Sequence, residues 1–295
     1  MILSLIGSGL IGASAAWAMK KACVFDNVRV YDLSQQSAVK ACEMGIADAA
    51  CGSIRQALEG ADAVMVAVPV LAMQGVFAEI GRHAPDAAYI TDVGSTRTAV
   101  IEAALRTMGK KFFNYAPVHP IAGGEMPGVE YARADLFEHA RAILTPEPGM
   151  GQEAVAFWER AWTAAGAVVV RMTAAEHDEI FASVSHLPHV LSYAMVDSIL
   201  QAGHAERKLS FAGAGFRDFT RIAASSPRMW TDICIANRDA ILASMDTFEK
   251  DLAVLRRSIE NRDESALMEI FGRASRSRRA LFSSRQPSVA DSSKS

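Results

Sequence analysis

The feature that most constrains this chain is the glycine-rich turn Gly7-Ser8-Gly9-Leu10-Ile11-Gly12, set between two apolar runs. Residues 2–6 read as a short buried strand and residues 13–21 as a helix. In that setting the glycines permit a tight turn, close approach of backbone to a pyrophosphate, and close helix–strand packing. The helix N-terminus then offers its N–H groups to the phosphates. A GxGxxG pattern alone is weak evidence. Here a second strand, residues 28–31, ends at Asp32, 20 residues beyond Gly12. A carboxylate there accepts hydrogen bonds from the adenosine ribose and repels a 2′-phosphate. The turn predicts a dinucleotide-binding domain, and Asp32 favours NAD over NADP. The competing reading of Asp32, an exposed acid at a strand end, does not account for its position.

The same residues exclude a membrane segment. Residues 1–19 carry no charge, but their first basic residues, Lys20 and Lys21, follow the apolar run, and three glycines interrupt it. At 295 residues, 51% hydrophobic and 21% charged, the chain has the composition of a globular protein of two domains. A net charge of −3 argues against a nucleic-acid binder. Cys23, Cys42, Cys51 and Cys234 lack CxxC spacing, so reduced thiols in a cytoplasmic protein are expected.

Strands and helices alternate through residue 172, the signature of an α/β domain. Strands are predicted at 62–68, 88–91, 111–115, 142–145 and 167–172, with helices at 34–45, 53–60, 70–82, 97–108 and 152–165. Doubly wound sheets bind ligands at the carboxyl ends of their strands. Gly7, Asp32, Val68 with Pro69, Ser95 and His119 all fall at such ends, on one rim. His119 stands between Pro117 and Pro120, which keep the backbone extended. Two glycines and Glu125 follow it. A histidine so held is a candidate general base; the bland alternative is a turn whose imidazole merely caps a backbone group.

Beyond residue 173 only helices are expected. Residues 174–203 form a long helix that is apolar on nearly all sides and should be kinked by Pro188; such a helix needs cover, so a homodimer is expected. Further helices are predicted at 229–260 and 265–282, and the Ser-rich residues 285–295 are expected to be disordered. Ideal-helix geometry turns His177 away from His186 and puts His186 and His189 on neighbouring faces, so no metal site is expected. His186 reads equally as a satisfied core histidine, whereas His189 is expected in a cleft. Arg217 and Arg221, four apart, share a helix face. Two guanidiniums suit a dianionic substrate, though a solvated basic face paired through Asp218 is the alternative.

Taken together these motifs resemble the prephenate/arogenate dehydrogenase family. The resemblance spans residues 1–283. It rests on Gly7 to Gly12, on Asp92-Val93-Gly94-Ser95, on His119-Pro120-x-Ala122-Gly123-x-Glu125, and on Ser185-His186-Leu187-Pro188-His189 followed by Gly215-Phe216-Arg217-Asp218 through Met229-Trp230. Ala13 stands where the family often has glycine, and Arg97 where it often has lysine. The length leaves no room for an attached chorismate mutase or a regulatory domain.

The resemblance implies a Rossmann-type α/β N-terminal domain, residues 1–173, followed by an all-α dimerisation domain, residues 174–284. It implies NAD as cofactor, bound by Gly7, Ser8, Gly9, Leu10, Ile11, Gly12, Asp32, Val68, Pro69 and Ser95. The substrate is prephenate, arogenate or both. His119 is the implied base, with Ser95 its partner. Arg221 grips a carboxylate, His189, Arg217 and Asp218 line the pocket, and Glu125 orients the entrance. Whether Trp230 arrives from a partner subunit stays open. Two other readings remain. A 3-hydroxy-acid or 6-phosphogluconate-type dehydrogenase would carry a lysine base on the long helix, where residues 172–201 have none. A non-catalytic NAD-binding protein would have no need of His119 and Ser95.

Overall fold

A computed structural model describes residues 1–124 and 126–283. Two compact units are present, one of residues 1–241 and one from Leu242 onward. Chain order begins β1 (Ile2–Ile6), α1 (Leu10–Lys21), β2 (Asn27–Tyr31), α2 (Gln35–Glu43), β3 (Ala49–Ala50) and α3 (Ile54–Leu58). It continues with β4 (Ala63–Val66), α4 (Met73–His83), β5 (Tyr89–Asp92), α5 (Thr98–Thr107) and β6 (Tyr115–Ile121). β7 (Arg141–Leu144), α6 (Gln152–Ala164) and β8 (Val168–Arg171) complete the α/β part.

The eight strands form one sheet in the order β3-β2-β1-β4-β5-β6-β7-β8. β1 pairs in parallel with both β2 and β4, so the strand order reverses between β1 and β4. Among the described residues β6 and β7 make the one antiparallel pairing, and β8 runs parallel to β7. All four residues of β4 are buried, as expected where helices cover both faces of a sheet. Leu3, Leu5, Val64, Phe77, Ile90, Trp158 and Trp162 form the core, each aliphatic side chain contributing roughly 1.5–3 kcal/mol by leaving water.

Residues 111–114, expected as strand, form a 3-10 turn (residues 109–114), and β6 begins only at Tyr115. The cause is Lys111. Its buried ammonium donates to the carbonyls of Ile80 and Ala84 at the end of α4, which holds this segment off the sheet. The strand then runs through both prolines. Pro117 lacks an N–H but its carbonyl accepts from Thr145, and His119 lies opposite Ile143. His119 is therefore on a paired strand, not a loop.

The helical part begins with α7 (Ala174–Phe181), capped by Thr173, whose hydroxyl accepts the Glu176 N–H. A π-helical turn (Ala182–His186) leads into α8 (Leu187–Gln201). The irregularity sits ahead of Pro188 in the first turn of α8, where the wider π turn accommodates a residue with no N–H to give to the preceding turn. This helix was expected to be covered all round. Within one chain it leaves Val184, Met195 and Leu200 exposed by 67%, 45% and 54%. α9 (Ala205–Ser210), α10 (Ala214–Thr220) and α11 (Pro227–Ala236) follow. The long helix expected over 229–260 is broken at Asn237. That residue ends α11 and spends its side chain on tertiary contacts, and α12 (Arg238–Glu260) starts after it. The second unit contains the rest of α12 and α13 (Glu264–Ser283). No helix among the described residues is long and apolar enough to cross a membrane. Residues 285–295, expected to be disordered, lie outside the described residues.

Candidate active site

The glycine turn joins β1 to α1 at the point where the strand order reverses. Gly7 has φ +98°, and a Cβ there would sit 2.4 Å from the Ala67 carbonyl oxygen at the end of β4. At Gly12 a Cβ would lie 2.5 Å from both the Gly7 oxygen and the Ala67 Cβ. Both positions exclude any side chain, and the close packing they allow brings α1 against the ends of β1 and β4. α1 opens at Gly9 without a side-chain cap, so no side chain competes for its N-terminal amides. Leu10 and Ile11 lie in its first turn.

Asp32, at the tip of β2, is bound to this turn. Its Oδ2 accepts from the Ser8 N–H at 2.7 Å and the Ser8 hydroxyl at 3.0 Å, while Oδ1 accepts from the Ser34 N–H at 2.8 Å. Half-buried Val68 packs at Gly7, and exposed Pro69 closes the end of β4. The uncapped helix end, the side-chain-free turn and the carboxylate at the end of β2 fit a dinucleotide.

Ser95 and His119 come from adjacent strands, and one buried guanidinium holds both backbones. Arg97 is fully buried. Its Nη2 donates to Asp92 Oδ1 at 2.7 Å and to the Gly94 carbonyl at 2.6 Å; its Nη1 donates to Asp92 Oδ2 at 3.2 Å and to the Val118 carbonyl at 3.3 Å. The carbonyls immediately before Ser95 and before His119 thus share one anchor. Asp92 also accepts from the Tyr115 hydroxyl and the Gly94 N–H. Burial, reinforced by Asp92, holds the Tyr115 hydroxyl well above its ordinary range.

Behind His119 lies a chain of hydrogen bonds. His119 Nδ1 is 2.8 Å from Nε2 of His177, and His177 Nδ1 is 2.9 Å from Asp178 Oδ1. Asp178 accepts in addition from the N–H groups of Arg97 and Thr98, both at 2.8 Å, at the start of α5. Phe181 closes the cluster, stacked on His177 and tilted against His119. Burial pushes the His119 imidazole well below its ordinary value, helped by His177, Arg97 and His186. His177 is also lowered by burial, against the pull of Asp178. Asp178 is held below the usual carboxylate range by its hydrogen bonds, which outweigh its burial.

The expected directions of His177 and His186 assume one regular α-helix from the first to the second. The π turn between them winds fewer degrees per residue than an α-helix, so ideal-helix angles do not hold across it. Asn237 bridges Asp178 and His186 across this turn, donating to the Asp178 carbonyl at 2.9 Å and contacting His186 Nδ1 at 3.1 Å. Burial lowers His186 to about 4. His189 Nδ1 donates to the Ser185 carbonyl at 2.9 Å, and its ring stacks on Trp230 at 3.6 Å between centroids. Ser226 caps α11 and Pro227 opens it, which sets the indole in place. Trp230 is buried against its own chain's His189 and His186, so one chain supplies this indole to itself.

Arg217, Asp218 and Arg221 lie on exposed stretches of α10 and of the 3-10 turn after it. The charge of Arg221 reaches His189 and lowers it, after burial. Glu125 lies outside the described residues. His177, Asp178 and Asn237 were not read as parts of the site from sequence. Their partners are distant in the chain and nothing local marks them, although the His177-Asp178 pair in the first helix after the last strand was a signal in reach.

Comparison with known proteins agrees with this geometry. The prephenate dehydrogenase nucleotide-binding domain matches residues 15–171, and the prephenate dehydrogenase dimerization domain matches residues 173–273. A cyclohexadienyl dehydrogenase of Zymomonas mobilis is 35% identical over 285 residues, 95% of each chain. A prephenate dehydrogenase of Bacillus subtilis is 34% identical, covering 90% of this chain and 72% of that one. The crystal structure of prephenate dehydrogenase from A. aeolicus, in complex with hydroxyphenyl propionate and NAD+, superposes with TM-score 0.89. That chain is 32% identical, with 95% of this chain and 97% of that one covered. On its sequence, its fold and the matched domains, this chain belongs to the prephenate dehydrogenase family.

Proposed function

We propose that this chain catalyses the NAD-dependent oxidative decarboxylation of prephenate to 4-hydroxyphenylpyruvate in tyrosine biosynthesis, with arogenate, which would give tyrosine, as the alternative substrate of the same site. The observation that carries this reading is His119. It is a half-buried imidazole at the carboxyl end of β6, on the rim that holds the glycine turn, with an oriented histidine behind it.

The substrate is a cyclohexadiene with a ring carboxylate, a side-chain carboxylate and a hydroxyl at C4. His119 Nε2 takes the hydroxyl proton as C4 becomes a carbonyl. The glycine turn and Asp32 would hold NAD, which when bound would be the acceptor for the C4 hydride. The ring carboxylate then leaves as carbon dioxide. Its bonding electron pair aromatises the ring and places charge on the C4 oxygen, to which His119 returns the proton. A base neutral at physiological pH suits the first step, and burial keeps His119 so. Ser95 is assigned as the hydroxyl partner at C4. Arg221 is assigned to a carboxylate, and Arg217, Asp218, His189 and Trp230 line the substrate side.

The exposed Val184, Met195 and Leu200 and the match to a dimerization domain support a homodimer. The unpaired state of all four cysteines supports a cytoplasmic location. We assign cofactor binding to residues 1–173 and substrate binding with dimerisation to residues 174–284. NADH formation, followed by absorbance with prephenate, arogenate and a simple 3-hydroxy acid, tests the reading. Turnover of prephenate or arogenate is expected. Activity on the 3-hydroxy acid alone would overturn it.

A further inference from the structure

We propose that His177 and Asp178 are positioning residues that fix the tautomer of His119. Asp178 keeps a proton on His177 Nδ1, His177 Nε2 accepts the Nδ1–H of His119, and His119 Nε2 is left bare toward the substrate. This inference rests on the reading of His119 as the base and explains how that base is set.

The direction of each bond follows from the end of the chain. Asp178 is an ionised carboxylate that already accepts two backbone N–H groups, so it can only accept from His177 Nδ1. An unprotonated Nδ1 facing it at 2.9 Å would set lone pair against lone pair. With its one proton on Nδ1, a neutral His177 presents a lone pair at Nε2. The neighbouring His119 Nδ1, 2.8 Å away, must then be the donor. A neutral imidazole with its proton on Nδ1 has its lone pair on Nε2. The reverse order would require His177 to be an imidazolium. Its burial and the Arg97 charge oppose this, only partly offset by Asp178 and Asp92.

The charged and titratable groups acting on His119 are His177 on α7, Arg97 before α5, and His186 at the end of the π turn. None of these is an acid. When His119 takes up a proton at Nε2, it keeps its Nδ1–H on His177, and Asp178, beyond His177, stays ionised without receiving the proton. Asp178 has a second use. By accepting the Arg97 and Thr98 N–H groups it also fixes the start of α5, three residues beyond Ser95. One carboxylate therefore sets both the tautomer of the base and the backbone that carries its partner.

The direct test is the nitrogen-15 spectrum of the histidine rings in the full-length protein without substrate. His119 is expected to show an N–H at Nδ1 and a pyridine-type Nε2 at neutral pH. A proton on Nε2 instead would overturn the relay. The variant Asp178→Asn, whose amide can donate to His177 Nδ1 and reverse the chain, should move the His119 proton to Nε2. Its kcat should fall at least about 10²-fold, as wrong-tautomer variants of orienting carboxylates do, with KM changed less than about 3-fold, the pattern of a loss confined to the transition state. His177→Gln, which keeps an acceptor for His119, should retain at least about 10-fold more kcat than His177→Leu, in the range expected for base catalysis. An Asp178→Asn enzyme with wild-type kcat and an unmoved His119 proton would refute the proposal. Failure of the wild type to oxidise prephenate or arogenate would sink the functional reading alone, because the tautomer is measured without substrate.

Discussion

Replacing Arg97 with methionine removes a charge that is wholly buried and leaves its partner behind. Asp92 would keep only the Gly94 N–H and the Tyr115 hydroxyl as donors. Breaking one side of a buried ion pair costs about 3–5 kcal/mol, because the remaining charge is uncompensated. In a unit of this size each kcal/mol moves Tm by about 2–4 °C, so Arg97→Met should melt about 6–20 °C lower. Arg97→Lys keeps the charge, but one ammonium cannot span both Asp92 oxygens and the Gly94 and Val118 carbonyls. Losing one or two of those bonds costs about 1–3 kcal/mol, a smaller fall in Tm. Arg97→Met combined with Asp92→Asn removes both charges and should recover part of the loss, a coupling expected at up to about 3 kcal/mol. Thermal unfolding of the four proteins decides the matter. An Arg97→Met variant melting within about 2 °C of wild type, under 1 kcal/mol, would refute the claim that this pair anchors the site.

Other outcomes follow from the same contacts. NAD should exceed NADP widely in kcat/KM, and Asp32→Ser with an added neighbouring arginine should narrow the gap; equal use of both by the wild type would contradict the role given to Asp32. Arg221→Ala should chiefly raise KM, by roughly 30- to 10³-fold, the cost of one charge-assisted carboxylate contact; an unchanged KM in steady-state kinetics would remove that contact. Acid should destabilise the protein early. The folded His186 value of about 4 lies below the ordinary 6.5, so the unfolded chain takes the proton first. Its contribution is complete above about 6.5 and is lost as pH falls toward about 4, roughly 3 kcal/mol in all. His119, His177 and His189 shift in the same direction and deepen the loss. Denaturant titrations at stepped pH that show flat stability through this window would oppose the buried-histidine account.

What the sequence made legible was local. The glycine turn, the strand ending at Asp32 and the alternation of elements each depend on residues close in the chain, and all stand in the sheet as expected. The rim of strand ends was legible for the same reason, since a parallel sheet places them together whatever the side chains do. Contacts between distant segments were not legible. His119 meets His177 across 58 positions, through a helix whose π turn no periodicity announces. Lys111 left the sheet to cap α4, and Asn237 broke a helix to reach Asp178, because one polar side chain found a buried carbonyl. Arg97, recognised only as a departure from lysine, proved to hold the backbones of both Ser95 and His119.

The central claim is that His119 is the base of an NAD-dependent oxidative decarboxylation. It is tested most directly by the pH dependence of kcat/KM for prephenate in the wild type and in His119→Ala. Because burial lowers His119, the wild-type rate should fall on the acid side with a midpoint below the ordinary imidazole value of 6.5. His119→Ala should lose on the order of 10²-fold or more in kcat, and that acid limb should vanish with the imidazole. A limb that persists unchanged in His119→Ala, or nearly normal turnover by that variant, would give the base role to another residue.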